Sequence, residues 1–452
     1  MARNIHFGER ISSTAASYDV IIIGGGVTGT SLLYMLGNYT NVNRIALVEK
    51  YESVAMVNSN PRNNSQTLHF GDIETNITLQ KARRLKEAGE LIKRYMERIS
   101  AEGNLYRKSH KMVLAVGPEE CYKLDTRYVE FVNLFPGLIR LPSEKIAELE
   151  PRVMEGRHPG DFVLALMSKD GYAVNYQRLS FSFLMDAYGT GKDINSFFNT
   201  EVADIRKASQ GYEVETSQGI ITAPVVIVAS GPYSLNFAQT LGYGQNLGIL
   251  PVAGSFYFSH KVLNGKVYTM QNDRVPFAAP HGDPDVVNPA ETRFGPTAKP
   301  LPLLERHHYH SMIDFSHSPM ATLRGLWSFW KITNDPVIRA FMLRNAVYEV
   351  PIVGKRVFLQ SVRKIIPTME ASELTFGKGL GGIRPQVVNL ETGELQHGEA
   401  TIEGDNIIFI TTPSPGASVC LKNAVDYAHK VVGYLGKEYS FDERKFVRDF
   451  KD

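Results

Sequence analysis

Residues 18–50 read YDVIIIGGGVTGTSLLYMLGNYTNVNRIALVEK: an apolar run, a glycine turn, a helical pattern and a second apolar run. Val20-Ile21-Ile22-Ile23 is β-branched and of strand length, suited to burial on both faces. In the turn that follows, Gly24, Gly26 and Gly29 fit G-x-G-x-x-G, and Ile45–Val48 ends in Glu49, twenty residues beyond Gly29. Each position has a physical task. Gly24 permits the tight strand-to-helix turn, Gly26 lets the backbone approach a pyrophosphate, and Gly29 lets the helix press on the strand. Val27 and Thr28 begin a helix whose N–H groups and positive dipole end face that phosphate. Glu49 stands where a carboxylate accepts hydrogen bonds from ribose hydroxyls. Strand, helix and acid together predict a dinucleotide site for FAD or NAD.

At 452 residues the chain is long enough for two domains. Hydrophobic residues make up 43% and charged ones 21%, an ordinary globular balance. A net charge of +2 gives no electrostatic case for nucleic acid. Cys121 and Cys420 have neither metal-ligand nor redox-pair spacing, so reduced thiols of a cytoplasmic protein are expected. The first eighteen residues lack the apolar core of a signal peptide. No run approaches the ~20 apolar residues of a bilayer span, which leaves peripheral contact open.

Residues 51–80 read as a polar loop rich in Asn, Ser and Thr, and 79–99 as an amphipathic helix. Lys111–Val116 reads as a strand, 119–134 and 142–149 as helices, and 176–189 as another helix. Short antiparallel strands are expected at 202–205, 212–216 and 220–222. Pro224–Ala229 is a second buried strand closing on Ser230-Gly231; Asn406–Thr411 is a third, after which Thr412–Ala417 opens a helix through 434. Residues 245–375 shift to short strands and prolines with an aromatic, histidine-containing helical stretch, and 355–366 reads as strand then helix. Gly377–Gly382 also fits G-x-G-x-x-G, but Pro385 keeps Arg384 out of the α region, so no second phosphate-binding helix follows. His307, His308 and His310 match no metal signature and read as surface.

The expected fold class is α/β. A Rossmann-like dinucleotide domain is assembled from discontinuous segments (18–100, 150–240, 375–437). An α+β substrate or cap domain with a mixed antiparallel sheet (101–149, 241–374) and two terminal extensions (1–17, 438–452) complete it. The set resembles the FAD-dependent D-amino-acid-oxidase-like superfamily. Four stretches within it resemble malate:quinone oxidoreductases: Asn63–His69; Ala279–Asp283 with Phe294–Thr297; Gly382–Gln386; and Thr412–Ala417.

That resemblance implies FAD as cofactor and oxidation of (S)-malate to oxaloacetate by hydride transfer to flavin N5. It also implies a membrane quinone as acceptor and a peripheral site on the inner face of the cell membrane. No segment stands out as an amphipathic anchor; Tyr427–Tyr434 and the tail 442–452 could equally pack on the protein. The same resemblance extends to L-2-hydroxyglutarate oxidases, and amine oxidation within the superfamily is the further alternative.

A departing hydroxyl proton needs a base. His281, with Asp283 to orient it, is the first choice and His69 the second. Arg384, held extended before Pro385, suits a carboxylate with two parallel hydrogen bonds, and Gln386 would add a donor on the same side. Tyr257 is a candidate for lining the flavin face. By family analogy Asn64, Ser65 and Gln66 contact the flavin side and backbone near Val202 meets the adenine. Ser230 and Gly231 join the cofactor set, and Gly416 and Ala417 offer helix N–H groups to the reduced ring.

Overall fold

A computed structural model of the chain describes residues 16–99, 102–271, 279–396, 400–411 and 415–451. Thr412, Pro413 and Ser414 of the last expected motif lie outside the described residues.

The three buried runs form one sheet, as their composition requires. Its order is Ala400–Gly404, Ile407–Thr411, Val225–Val228, Val20–Ile23, Arg44–Val48, Asp193–Phe197, all parallel except the antiparallel edge Ala400–Gly404. Alternation assigns the two faces. Val20 and Ile22 pack on one side with Leu32, Leu36, Phe183 and Leu421 of the helices Val27–Tyr39, Tyr176–Tyr188 and Gly416–Leu435. Ile21 and Ile23 pack on the other with Ile205, Val214 and Ile221. Those residues belong to a four-stranded sheet of Val202–Ala208, Gly211–Thr216, Gly219–Ala223 and Ala16–Ser17.

A second body is built on an eight-stranded sheet. Tyr106–Val116 pairs with Val163–Val174 and, in parallel, with Lys266–Thr269; His281–Pro284, Glu291–Gly295 and Tyr257–His260 continue it. One face carries Met112, Val267 and Phe294 against Phe358, Val362 and Ile365 of the helix Val353–Ile365. The other face turns towards Thr67 and the polar loop of residues 54–69. A four-stranded sheet pairs Leu247–Gly254 with Gly382–Asn389, placing Val252 opposite Arg384.

Several expectations change. Residues 163–174, assigned by sequence to the cofactor domain, pair in the eight-stranded sheet, because their apolar run matches Lys111–Val116 and, past a register shift between Ser109 and Lys111, continues along Tyr106–Ser109. Thr375–Phe376 edges that same sheet, and Gly382–Asn389 pairs with a strand of the expected cap. The stretch 355–365 is helical throughout, with Ile366 as the extended C-cap. The described parts of the terminal extensions are also integral. Ala16–Ser17 joins a sheet, and the helix Glu443–Phe450 buries Phe446 and Phe450 against Tyr39. Tyr427 is buried as well, so neither C-terminal segment considered as an anchor is free.

Candidate active site

The first turn shows why glycine stands where it does. Gly24 has φ +105°, and a Cβ there would lie 2.5 Å from the Ala229 carbonyl oxygen, because the Val225–Val228 strand closes against it. Ala229 N–H donates to Ile23 O at 2.7 Å. A Cβ on Gly29 would fall 1.9 Å from Gly24 O. At Gly26 it would meet only Ser59 Oγ, at 3.6 Å, so that glycine answers to space beside the turn rather than to packing. Gly26 caps Val27–Tyr39 without a side-chain hydrogen bond, and Pro415 does the same for Gly416–Leu435.

Both helix starts open on one cavity of about 360 Å³, lined by Gly24, Gly26, Val27, Thr28, Glu49, Asn64, Ser65, Gln66, His69, Val202, Ser230, Gly231, Arg384, Gly416 and Ala417. Val27 N–H donates to Ser59 Oγ at 3.1 Å, and the two helix N-termini direct their positive dipole ends to the same space, the chemistry a pyrophosphate and an electron-rich ring require. The residues present therefore fit a dinucleotide.

Glu49 accepts from Gly25 N–H at 2.7 Å and Tyr51 N–H at 2.9 Å, and burial pushes its carboxyl pKa upward. The Asn-rich loop is mostly self-bonded. Asn64 Nδ2 donates to the carbonyls of Asn58 and Asn60. Gln66, at φ +57°, donates to Pro61 O and Asp285 Oδ2 and accepts from Val286 N–H. These amides frame the cavity wall with their side chains already engaged, which accounts for their number next to a nucleotide site.

His69 and Arg384 face the cavity. His69 Nδ1 lies 2.5 Å from Glu74 Oε1, and the backbone N–H of His69 donates to Ser418 Oγ at 3.0 Å. Burial would raise the Glu74 pKa, but His69 and then Lys111 outweigh it and hold the carboxyl at about 2. Arg384 is half-buried and desolvation alone pulls its guanidinium down to about 10; it makes no ion pair among the described residues. Its backbone is tightly held: Ile383 N–H donates to Asn58 Oδ1 at 3.0 Å, and a Cβ at Gly382 would sit 2.6 Å from Asn63 O.

The other sequence candidates lie elsewhere. His281 is 2% exposed and stacks on Tyr268 with ring centroids 4.4 Å apart. Its Nε2 is 3.2 Å from Asp283 Oδ2 and its Nδ1 3.1 Å from Ala279 O. The strand His281–Pro284 turns both side chains into the layer beneath Thr67, so neither His281 nor Asp283 is on the cavity wall. Gln386 does share the strand with Arg384, but it is buried and donates to Gln396 O at 2.6 Å. Tyr257 stacks on Phe358 at 4.5 Å and donates to Tyr348 O, in the core on the far face of the sheet. Gly29 is a packing residue and lines nothing.

Sequence reasoning missed a buried ionic layer on the sheet face below Thr67. Lys266 Nζ lies 3.1 Å from both Asp283 Oδ1 and Thr67 Oγ1. Lys111 meets Asp72 at 2.7 Å and Arg293 meets Asp285 at 3.4 Å. Burial opposes the Asp283 charge, but Lys266 and His281 keep its carboxyl well below the usual range; Lys266 itself is lowered by burial despite Asp283. The available signal was a cation inside or adjoining an apolar strand run, at Lys111, Lys266 and Arg293.

Comparison with known proteins agrees with this architecture. Residues 19–417 match a family described as FAD dependent oxidoreductase. Glycine oxidase from Geobacillus kaustophilus superposes with a TM-score of 0.66 at 19% identity, covering 92% of this chain and 95% of its own. L-alpha-glycerophosphate oxidase from Mycoplasma pneumoniae gives 0.64 at 17%, covering 92% and 95%. By sequence, the chain is 38% identical over 440 residues to a malate:quinone oxidoreductase of Helicobacter pylori, 96% of this chain and 97% of the relative. It is 40% identical over 437 residues to a probable malate:quinone oxidoreductase of Campylobacter jejuni, 94% of this chain and 98% of that one. With similarity of that depth along nearly its whole length, the chain belongs to the malate:quinone oxidoreductase family of FAD-dependent oxidoreductases.

Proposed function

We propose that this protein oxidises the alcohol of (S)-malate to the ketone of oxaloacetate, with FAD as redox group and a quinone as acceptor. Near full-length similarity to malate:quinone oxidoreductases supports the reaction. Arg384 carries the substrate class: a desolvated guanidinium in the cavity wall, without a counter-ion among the described residues, is a receptor for a carboxylate.

In this reading the turn at Gly26 and the helix start at Val27 and Thr28 would hold the pyrophosphate, with Val27 N–H shared with Ser59 Oγ, and Glu49 would accept from the ribose. Gly416 and Ala417, at the start of the helix Gly416–Leu435, would offer N–H groups to negative charge on a bound flavin ring. Bound FAD supplies the two-electron acceptor for the hydride that leaves the substrate carbon. His69 takes the hydroxyl proton on Nε2, while Glu74, ionised and 2.5 Å from Nδ1, stabilises the imidazolium that results. His69 replaces His281 as the base because it faces the cavity. His281 and Asp283 instead brace Lys266. A quinone is lipid-soluble, so the protein works peripherally, on the inner face of the cell membrane.

The test is anaerobic addition of (S)-malate to the holoprotein while the flavin band is followed. Bleaching that a quinone analogue reverses and NAD⁺ does not is the expected result. A flavin that ignores malate but bleaches with L-2-hydroxyglutarate or an amine would overturn the substrate and leave the fold intact.

A further inference from the structure

We propose that the segment Tyr309–Val353 is the surface by which this protein docks on an anionic lipid bilayer. The inference rests on the quinone reading above for its purpose, but its observations are separate. Of the nineteen large apolar side chains exposed among the described residues, eleven fall within this stretch, so the exposure is concentrated rather than scattered.

The helix Leu323–Asn334 shows the reason most plainly. Its inward face is Gly325, Ser328 and Ile332; a Cβ on Gly325 would lie 2.4 Å from Met320 O, so this side is tightly packed. The opposite stripe is Leu323, Leu326, Trp327 and Trp330, at i, i+3, i+4 and i+7, and all four are exposed, Leu323 at 86% and Trp330 at 61%. A helix that only covers a core turns its polar residues outward. Here apolar residues occupy the outward stripe, including both tryptophans of the chain, and tryptophan favours the boundary between headgroups and acyl chains. After the next helix, Pro336–Tyr348, the turn exposes Val350, Ile352 and Val353. Ile352 is held at φ +66°, costly for a β-branched residue where glycine or asparagine would serve the turn better.

Charge favours a lipid partner of one sign. Arg324, Lys331, Arg339, Arg344 and Arg356 are exposed around these helices, against Asp314 as the exposed acid among the described residues 307–356. Glu305 and Glu349 are turned inward to Lys50 and to Lys299 and Arg306. Basic side chains flanking an apolar face match an anionic surface. The segment also adjoins the cavity: Glu305 and Tyr233 line it, and Tyr233 donates to Asp314 at 3.3 Å. Docking here sets a cavity wall beside the lipid that holds the acceptor.

Because both tryptophans lie on this helix, the unmodified holoprotein reports on itself. Mixed with vesicles of phosphatidylglycerol and phosphatidylcholine, it should cosediment, less so at high salt, with tryptophan emission shifted to the blue. L323D/L326D should weaken vesicle binding by ~10-fold or more while malate-dependent flavin bleaching without lipid is unchanged. Absence of binding at every salt, binding with unshifted emission, or binding that survives the double substitution would overturn the proposal. A dimer abolished by L323D/L326D, without vesicle binding, would overturn it in favour of a second copy of this chain. Failure of malate to bleach the flavin while vesicles still bind would instead overturn the reaction and leave the docking surface standing.

Discussion

At the scale of single residues, two side chains that face the cavity make opposite demands. Arg384 is charged and desolvated, so its worth lies in an anion it lacks; truncating one partner of such a pair costs about 2–5 kcal/mol. Arg384→Ala should therefore raise the malate KM roughly 30-fold or more with FAD still bound, read by steady-state kinetics and flavin absorbance. His69→Ala should slow flavin reduction about 10²–10⁴-fold in stopped flow, whereas His281→Ala should act mainly on stability. Glu74 supplies a pH signature. Its folded pKa is depressed to about 2, so the stability it contributes is complete above its unfolded value, 4.5, and is lost as pH falls through the folded one. Urea unfolding between pH 7 and pH 3 should show the wild type losing stability on the acid side and Glu74→Gln losing less.

At the scale of elements, the glycine turn separates two kinds of requirement that one motif conceals. Gly24 and Gly29 answer to backbone crowding, at 2.5 Å and 1.9 Å respectively, whereas Gly26 has room for a methyl group. Gly24→Ala and Gly29→Ala should lower the melting temperature of the protein stripped of FAD. Gly26→Ala should leave that temperature nearly unchanged and weaken FAD binding, measured by fluorescence titration, because its Cβ intrudes where the pyrophosphate approaches. The turn, its helix and the acid at its far end were legible from sequence because all three signals are local. The Asn-rich loop was legible as polar and close to the site. That Asn64 is turned into the loop's own hydrogen bonds and Gln66 towards a distant segment was not, since Gln66 finds partners at Asp285 and Val286.

At the scale of the whole molecule, the two bodies meet through the ionic layer beneath Thr67. Lys266→Met removes the ammonium that pairs with buried Asp283 and should cost about 3–5 kcal/mol of unfolding free energy, read from urea midpoints. Replacing both partners, as K266M/D283L, should recover most of that loss, because no unpaired charge remains. The interleaving of segments has the same long-range origin. Residues 163–174 carry an apolar run that would suit either body, and only their register with Tyr106–Val116 settles which sheet they join.

Sequence alone determined the parallel sheet, its cofactor-binding turn and the family, because buried β-branched runs and glycines at fixed offsets record local constraints that any fold of this chain must meet. The extended backbone at Arg384 was legible too, since it follows from Pro385, and it is observed in the strand Gly382–Asn389. Tertiary structure decided which histidine reaches the cavity, since His69 and His281 both stand beside acids in sequence and differ only in what the sheet places over them. It likewise decided that the apolar stripe of Leu323–Asn334 faces outward. Periodicity fixes that a helix has an apolar side; which way that side points depends on the neighbours it packs against, and here Gly325 and Ser328 take the inward place.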